Sequence, residues 1–284
     1  MAAFSAADVK TLRDRLGAGM LDSKNALVEA DGDIEKAIEI LRVKGLKGVE
    51  KRSGRATTAG LVTAKAGDGV ATLIELASET DFVAKNERFL ALAERVLDAV
   101  AAAGAADVES AKAAPLVPTD TAGGAPATTV QAYIDDEAAL LGEKVELRSV
   151  EQVRGERFAI YLHKTSKDLP PQVGVVLGYA GNDADTARSV AQHIAVYDPT
   201  YTTRADVPAE TVEHERQVLT EATRNEGKPE AALPKIVEGK LTGFYKEVVL
   251  VDQPYARDSK QATGAVLKDA GLTVSGFARV KVGA

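Results

Sequence analysis

The chain has 284 residues and a hydrophobic fraction of 45%, enough for roughly two domains with real cores. It has no cysteine, which excludes disulfides, thiolate nucleophiles and thiolate metal sites together. Its formal net charge of −7 argues against a whole-chain footprint on nucleic acid, the N-terminus MAAFSAADVKTLRDR has no apolar core of signal-peptide length, and no stretch approaches a membrane span, so the reading is a cytoplasmic protein with a protein partner.

The first fifty residues read as three short helices. Ser5 and Asp8 form a capping-box pattern before an apolar stripe of Val9, Leu12 and Leu16, and Gly17-Ala18-Gly19 breaks the helix. A second helix begins near Asp22 with Ala26, Leu27 and Ala30 inward. Asp31-Gly32-Asp33 supplies a turn and a new cap, after which Ile34, Ala37, Ile38 and Leu41 repeat at three and four residues until Gly45 stops the helix. Such short turns oblige the three stripes to bury against one another. The stretch Arg42 to Arg55 carries six Lys or Arg residues against the single acid Glu50, and reads as a solvated tether or, alternatively, as a basic binding strip.

From Thr58 the period changes. Leu61 to Ala64 and Val70 to Leu76 are β-rich runs separated by Gly67-Asp68-Gly69, a hairpin signal. A helix from about Asp81 to Ala103 decays into an Ala, Gly, Pro and Thr-rich stretch, 101–129, expected to be a surface excursion with little core of its own. Helix returns at Val130 to Leu141, then strand-like Lys144 to Val150, Arg157 to His163 and Gln172 to Tyr179, then a helix capped by Asp183 or Asp185. Gly69 to Val100 is echoed by Val173 to Tyr197, which suggests two related α+β halves. Helical patterns at Ala209 to Asn225 and Glu230 to Tyr245, joined at Gly227-Lys228-Pro229, predict a projecting helical hairpin. Strand-like Glu247 to Val251, a helix near Lys260 to Asp269 and a strand-like Thr273 to Val282 close the chain. The expected fold is thus α+β, with a helical module at 1–52 including the basic linker, core subdomains at 53–142 and 143–284, and the hairpin at about 205–246.

Few residue patterns in the chain carry chemistry. His163, His193 and His214 lie in three different predicted elements with no metal-ligand spacing, so no metal site is expected. Neither a G-x-S-x-G elbow, a Walker-type loop nor a G-x-G-x-x-G run is present, so no catalytic residues and no nucleotide cofactor are expected. That shifts the expectation to binding or regulation.

Two long segments, LRDRLGAGMLDSKNALVEADGDIEKAIEILRVKG (Leu12 to Gly45) and ELASETDFVAKNERF (Glu75 to Phe89), resemble the elongation factor Ts family, and weaker similarity continues through AQHIAVYDP, GKPEAALPKIVEGKLTGFYKEVVLVDQPY and VSGFARVKVG. The resemblance implies an N-terminal module like a ubiquitin-associated (UBA) domain, followed by a two-subdomain core. It implies a guanine-nucleotide exchange factor, not an enzyme, acting on GDP-bound and nucleotide-free elongation factor Tu. Thr80, Asp81, Phe82 and Val83 match the quartet that sits at a surface helix start in the family, where its Phe enters the partner's nucleotide-binding domain near the magnesium site. Lys10, Arg13, Met20 and Leu21 match the N-terminal surface used against Tu, and His193 aligns with a histidine near that domain. Two departures stand out: a C-terminal helical module of some relatives has no counterpart here, and Ser23 occupies the family's usual Cys position.

The residues by themselves leave other readings open. Ser78 and Asp81 make a capping box, and Phe82 with Phe89 at seven-residue spacing fits one buried helical face. Lys10 and Arg13 fit a charged helix face, Met20 and Leu21 a core, and His193 a packing histidine. The competing function is a UBA-like adaptor for some other protein; an RNA-binding role for Arg42 to Arg55 lacks stacking aromatics. Whether the hairpin forms a homodimer is open in the sequence.

Overall fold

The computed structural model of the chain describes residues 4–16, 18–116 and 128–284. Helices α1 (Ala6–Leu16), α2 (Met20–Glu29) and α3 (Ile34–Arg52) form the N-terminal module. The Ser5 backbone N–H donates to Asp8 at 2.7 Å, and the Asp8 N–H donates back to the Ser5 hydroxyl at 3.3 Å, the reciprocal cap expected there. Asp33 caps α3 by accepting from the Lys36 N–H at 3.2 Å. Val9, Leu12, Ala26, Leu27, Ala37 and Ile38 bury together. Gly17 and the Leu16 side chain lie outside the described residues.

Gly45 does not stop α3, which runs on to Arg52. Its missing side chain serves a close helix approach instead: a Cβ there would come within 2.7 Å of the Ala139 Cβ on the later helix α7 (Val130–Leu141). The same two helices are joined by Arg42 and Asp136, with N–O distances of 2.6 and 2.9 Å. The first part of the basic stretch is therefore helix packed on the core, and not an extended tether.

Strands β1 (Ala59–Ala66) and β2 (Val70–Ser78) form the expected hairpin. Helices α4 (Asp81–Ala84), α5 (Glu87–Ala103) and α6 (Val108–Ala113) follow, then α7 and β3 (Val145–Arg154), which pairs with β2. The single helix expected over 81–103 is broken, because the Asn86 side chain accepts from the Arg88 N–H and starts a new helix. Nor is the stretch after Ala103 a bare excursion: Ala105, Ala111, Ala114 and Leu116 are buried in the same core as Phe89, Leu92 and Ile134. The part of that stretch at 117–127 lies outside the described residues.

The second half repeats the plan with β4 (Arg157–His163), β5 (Val173–Ala180) and α8 (Ala184–Tyr197), capped by Asp183. The hairpin α9 (Ala209–Asn225) and α10 (Leu233–Val248) interrupts it. Then come β6 (Pro254–Tyr255), β7 (Asp258–Ala262), α11 (Thr263–Asp269) and β8 (Thr273–Lys281). Each half is a three-stranded antiparallel sheet, in orders β1-β2-β3 and β4-β5-β8, whose middle strand feeds a covering helix. The middle strands β2 and β5 are buried almost throughout, since a helix covers one face and the other sheet the opposite one. Val62, Leu73, Val153, Val176 and Val280 belong to the apolar layer between the sheets. The expected strand at 247–251 is instead the end of α10 and a 3-10 turn at Leu250–Asp252, because burial of Val249 and Leu250 is satisfied without a ladder partner. Across the hairpin, Arg216 meets Glu238 and Lys240 meets Glu226 in exposed ion pairs, and Leu233, Val237 and Leu241 of α10 are buried. Among the described residues no helix is long and apolar enough to cross a membrane.

Candidate partner-binding site

The last residue pair of the β2–β3 ladder is Ser78 with Val145. Beyond it α4 begins, a single turn capped by Thr80, whose hydroxyl accepts from the Val83 N–H at 3.4 Å. The expected cap was Ser78; its hydroxyl instead donates to the Thr80 carbonyl at 3.0 Å and shapes the approach to the turn. Thr80 in turn donates to Glu143, from its N–H at 3.0 Å and from its hydroxyl at 2.6 Å. The neighbouring Glu79 accepts the Lys144 N–H at 2.6 Å. That hydrogen bond, with help from Arg55, holds the Glu79 carboxyl below the usual carboxylate range against the opposing effect of burial.

Val83 and Ala84 point into the main core, whereas Phe82 is 73% exposed. Breaking the helix at Lys85 and Asn86 takes Phe82 off the face that buries Phe89, so the two do not share a core. The Lys85 ammonium lies 4.7 Å from the Phe82 ring centre and 3.7 Å from the Asp81 carboxylate. Thr80, Asp81, Phe82 and Val83 thus form one unit: a carboxylate and an aromatic ring projecting from a short turn whose base is packed and hydrogen-bonded.

On the N-terminal module Met20 and Leu21 are 53% and 68% exposed, so they are surface and not core. Lys10 is exposed and Arg13 half-buried on the adjoining α1.

His193 is fully buried. Its Nδ1 accepts from the Ala256 N–H at 3.1 Å, which leaves Nε2 to donate to the Gln253 side-chain oxygen at 2.9 Å. Burial lowers its pKa below the usual histidine value, only partly offset by Gln253. The ring is stacked on Tyr197, with centres 4.6 Å apart and planes 11° from parallel. What this corner offers outward is Val196, 74% exposed, and Tyr197, 44% exposed. Sequence reasoning passed over these two, although they fall off the buried stripe of Ala187, Val190, Ala191 and Ile194, which was the available signal. Glu143, too, was missed, and no local pattern announces it.

Among the described residues no group of three or more His, Asp or Glu side chains is placed to hold a metal ion. The fold is an α+β body with a helical module, and it presents exposed apolar side chains at Met20, Leu21, Phe82 and Val196. The profile of the family described as Elongation factor TS matches residues 79–284, beginning beside the Thr80 turn. Proteins named Elongation factor Ts from Clavibacter michiganensis subsp. michiganensis, Clavibacter sepedonicus and Micrococcus luteus are 64%, 65% and 57% identical to it, each alignment covering the whole of both chains. The chain belongs to the elongation factor Ts family.

Proposed function

We propose that this chain is a guanine-nucleotide exchange factor for elongation factor Tu in translation elongation, promoting GDP release without making or breaking a bond. The observation that carries the reading is Phe82, a large apolar side chain left in water on a turn whose base is tied down on both sides. A solvated aromatic on a rigid mount binds at little ordering cost. In a GTPase, Mg²⁺ and the phosphates hold the switch loops in place, so a ligand that favours the conformation with displaced Mg²⁺ weakens nucleotide binding. Phe82 supplies apolar area for opening that pocket, and Asp81 supplies a carboxylate to which the partner's donors can turn. Lys10, Arg13, Met20 and Leu21 form a second contact. His193 acts at one remove, by fixing Tyr197 and with it the Val196–Tyr197 surface as a third. Such a factor needs no cofactor of its own and works in the cytoplasm.

The test is release of labelled GDP from purified Tu, with this chain added in substoichiometric amounts. The proposal expects each molecule to discharge many Tu–GDP complexes. A release rate unaffected by the chain at any concentration would refute it.

A further inference from the structure

The geometry points to Glu143 as the positioning residue of the Thr80–Ala84 turn: its carboxylate sets the conformation in which Phe82 is presented, an inference that deepens the exchange reading and rests on it for its functional part. The backbones of β2 and β3 part after Ser78 and Val145, where continued pairing would set Glu79 beside Lys144 and Thr80 beside Glu143. Side chains take over at those positions. Glu79 accepts from the Lys144 N–H, and Glu143 accepts twice from Thr80, so each segment's carboxylate satisfies the other's backbone donor.

Thr80 has one hydroxyl proton, and at 2.6 Å it is committed to Glu143. That commitment leaves only lone pairs for the Val83 N–H, so Glu143 fixes the rotor of the helix cap. The cap needs the help. Its own hydrogen bond is long at 3.4 Å, and a four-residue helix lacks the length to sustain itself. The other end of the turn is held by Val83 and Ala84 in the core. Phe82 therefore stands between two anchors, one apolar and one made by Glu143. The pairing also accounts for Thr80 in place of Asp, which is as good an N-cap elsewhere but would set a second carboxylate against Glu143. Gly142, at φ 77°, turns the chain out of α7 and brings Glu143 to this position.

Amide hydrogen exchange of the free protein, followed residue by residue by NMR, reads the turn without any partner. In Glu143→Ala the Thr80, Val83 and Ala84 amides should lose most of their protection and exchange near the unprotected rate, while those of Ile74 and Val96 keep wild-type rates. Glu143→Gln keeps the volume and one acceptor but turns an N–H toward the other donor, and should fall between; it decides the matter if the alanine variant loses protection globally. In stimulated GDP release both variants should raise the half-saturating concentration, by about three- to tenfold for alanine. The rate at saturation should stay within about twofold, because a loosened turn pays in population and not in the bound geometry. Unchanged amide exchange in both variants overturns the positioning role, and so does a loosened turn with unchanged half-saturation. Should the wild-type chain fail to accelerate release, the exchange reading falls, while the amide measurement still decides whether Glu143 holds the turn.

Discussion

Truncating Phe82 to alanine separates the binding role of the ring from any role in the fold. With 73% of the residue already in water, the folded state loses little apolar burial, and the unfolding temperature should stay within about 2 °C of wild type. Bound to a partner, the same side chain has on the order of 150 Å² to bury, which at about 25 cal/mol per Å² sets a ceiling of roughly 3–4 kcal/mol. Incomplete engagement leaves about 1.5–3 kcal/mol, and each 1.4 kcal/mol is about tenfold, so stimulated GDP release should slow by ten- to a hundredfold. Stopped-flow release of a fluorescent GDP from Tu measures this directly. Phe89→Ala is the contrast: Phe89 is fully buried, its loss costs about 3–5 kcal/mol, and the midpoint should drop by roughly 10 °C. A stable Phe82→Ala protein with undiminished exchange would refute the pocket-opening role of Phe82, and a thermal loss like that of Phe89→Ala would place the ring in the core.

Linkage requires that if this chain lowers Tu's affinity for GDP, GDP lowers Tu's affinity for the chain by the same factor; titration calorimetry should find tighter association with nucleotide-free Tu. His193 is neutral in the fold and has a lowered pKa, so between that value and the usual one near 6.5 the unfolded chain binds the extra proton. Stability should therefore decline as pH falls from about 6.5, and His193→Gln, itself less stable, should show a flatter profile over that window in denaturant titrations. Gly45→Leu should force α3 off Ala139 at a cost of about 1–3 kcal/mol, read as faster amide exchange in α1 to α3 with the β2 and β5 amides unaffected.

Much of this architecture is legible in local chemistry. Helix α7, hairpin β1–β2, strand β4 and helix α9 lie where periodicity and turn residues put them, because their caps and stripes act over a few residues. Gly45 was misread because a glycine that ends a helix and one that admits a neighbouring helix look alike until Ala139, distant in sequence, is beside it. Phe82 and Phe89 have the spacing of a shared face, and only the side chain of Asn86, by restarting the helix, separates them. Val248 to Val251 have the composition of a strand, yet α10 and burial dictate otherwise. The Thr80 quartet was found through family likeness to Glu75–Phe89, whereas its support from Glu143 is a contact between distant segments that no spacing rule encodes.

The close fit between the two sheets bears on which body deforms in an encounter. At Gly174 on β5 a Cβ would fall 2.5 Å from the Val62 side chain and 2.8 Å from that of Leu73, so side chains of one sheet press against the backbone of the other there. Dense apolar packing of this kind compresses very little. Phe82 follows the middle strand of one sheet and Tyr197 ends the helix fed by the middle strand of the other, so the span between them is set by that stiff layer. In the proposed exchange role the molecule is a gauge block, two of whose three contact surfaces keep a fixed separation. Pressed against a more compliant surface, it does work on that surface while its own dimensions hold, and a missing methyl group on one central strand helps decide which of the two partners changes shape.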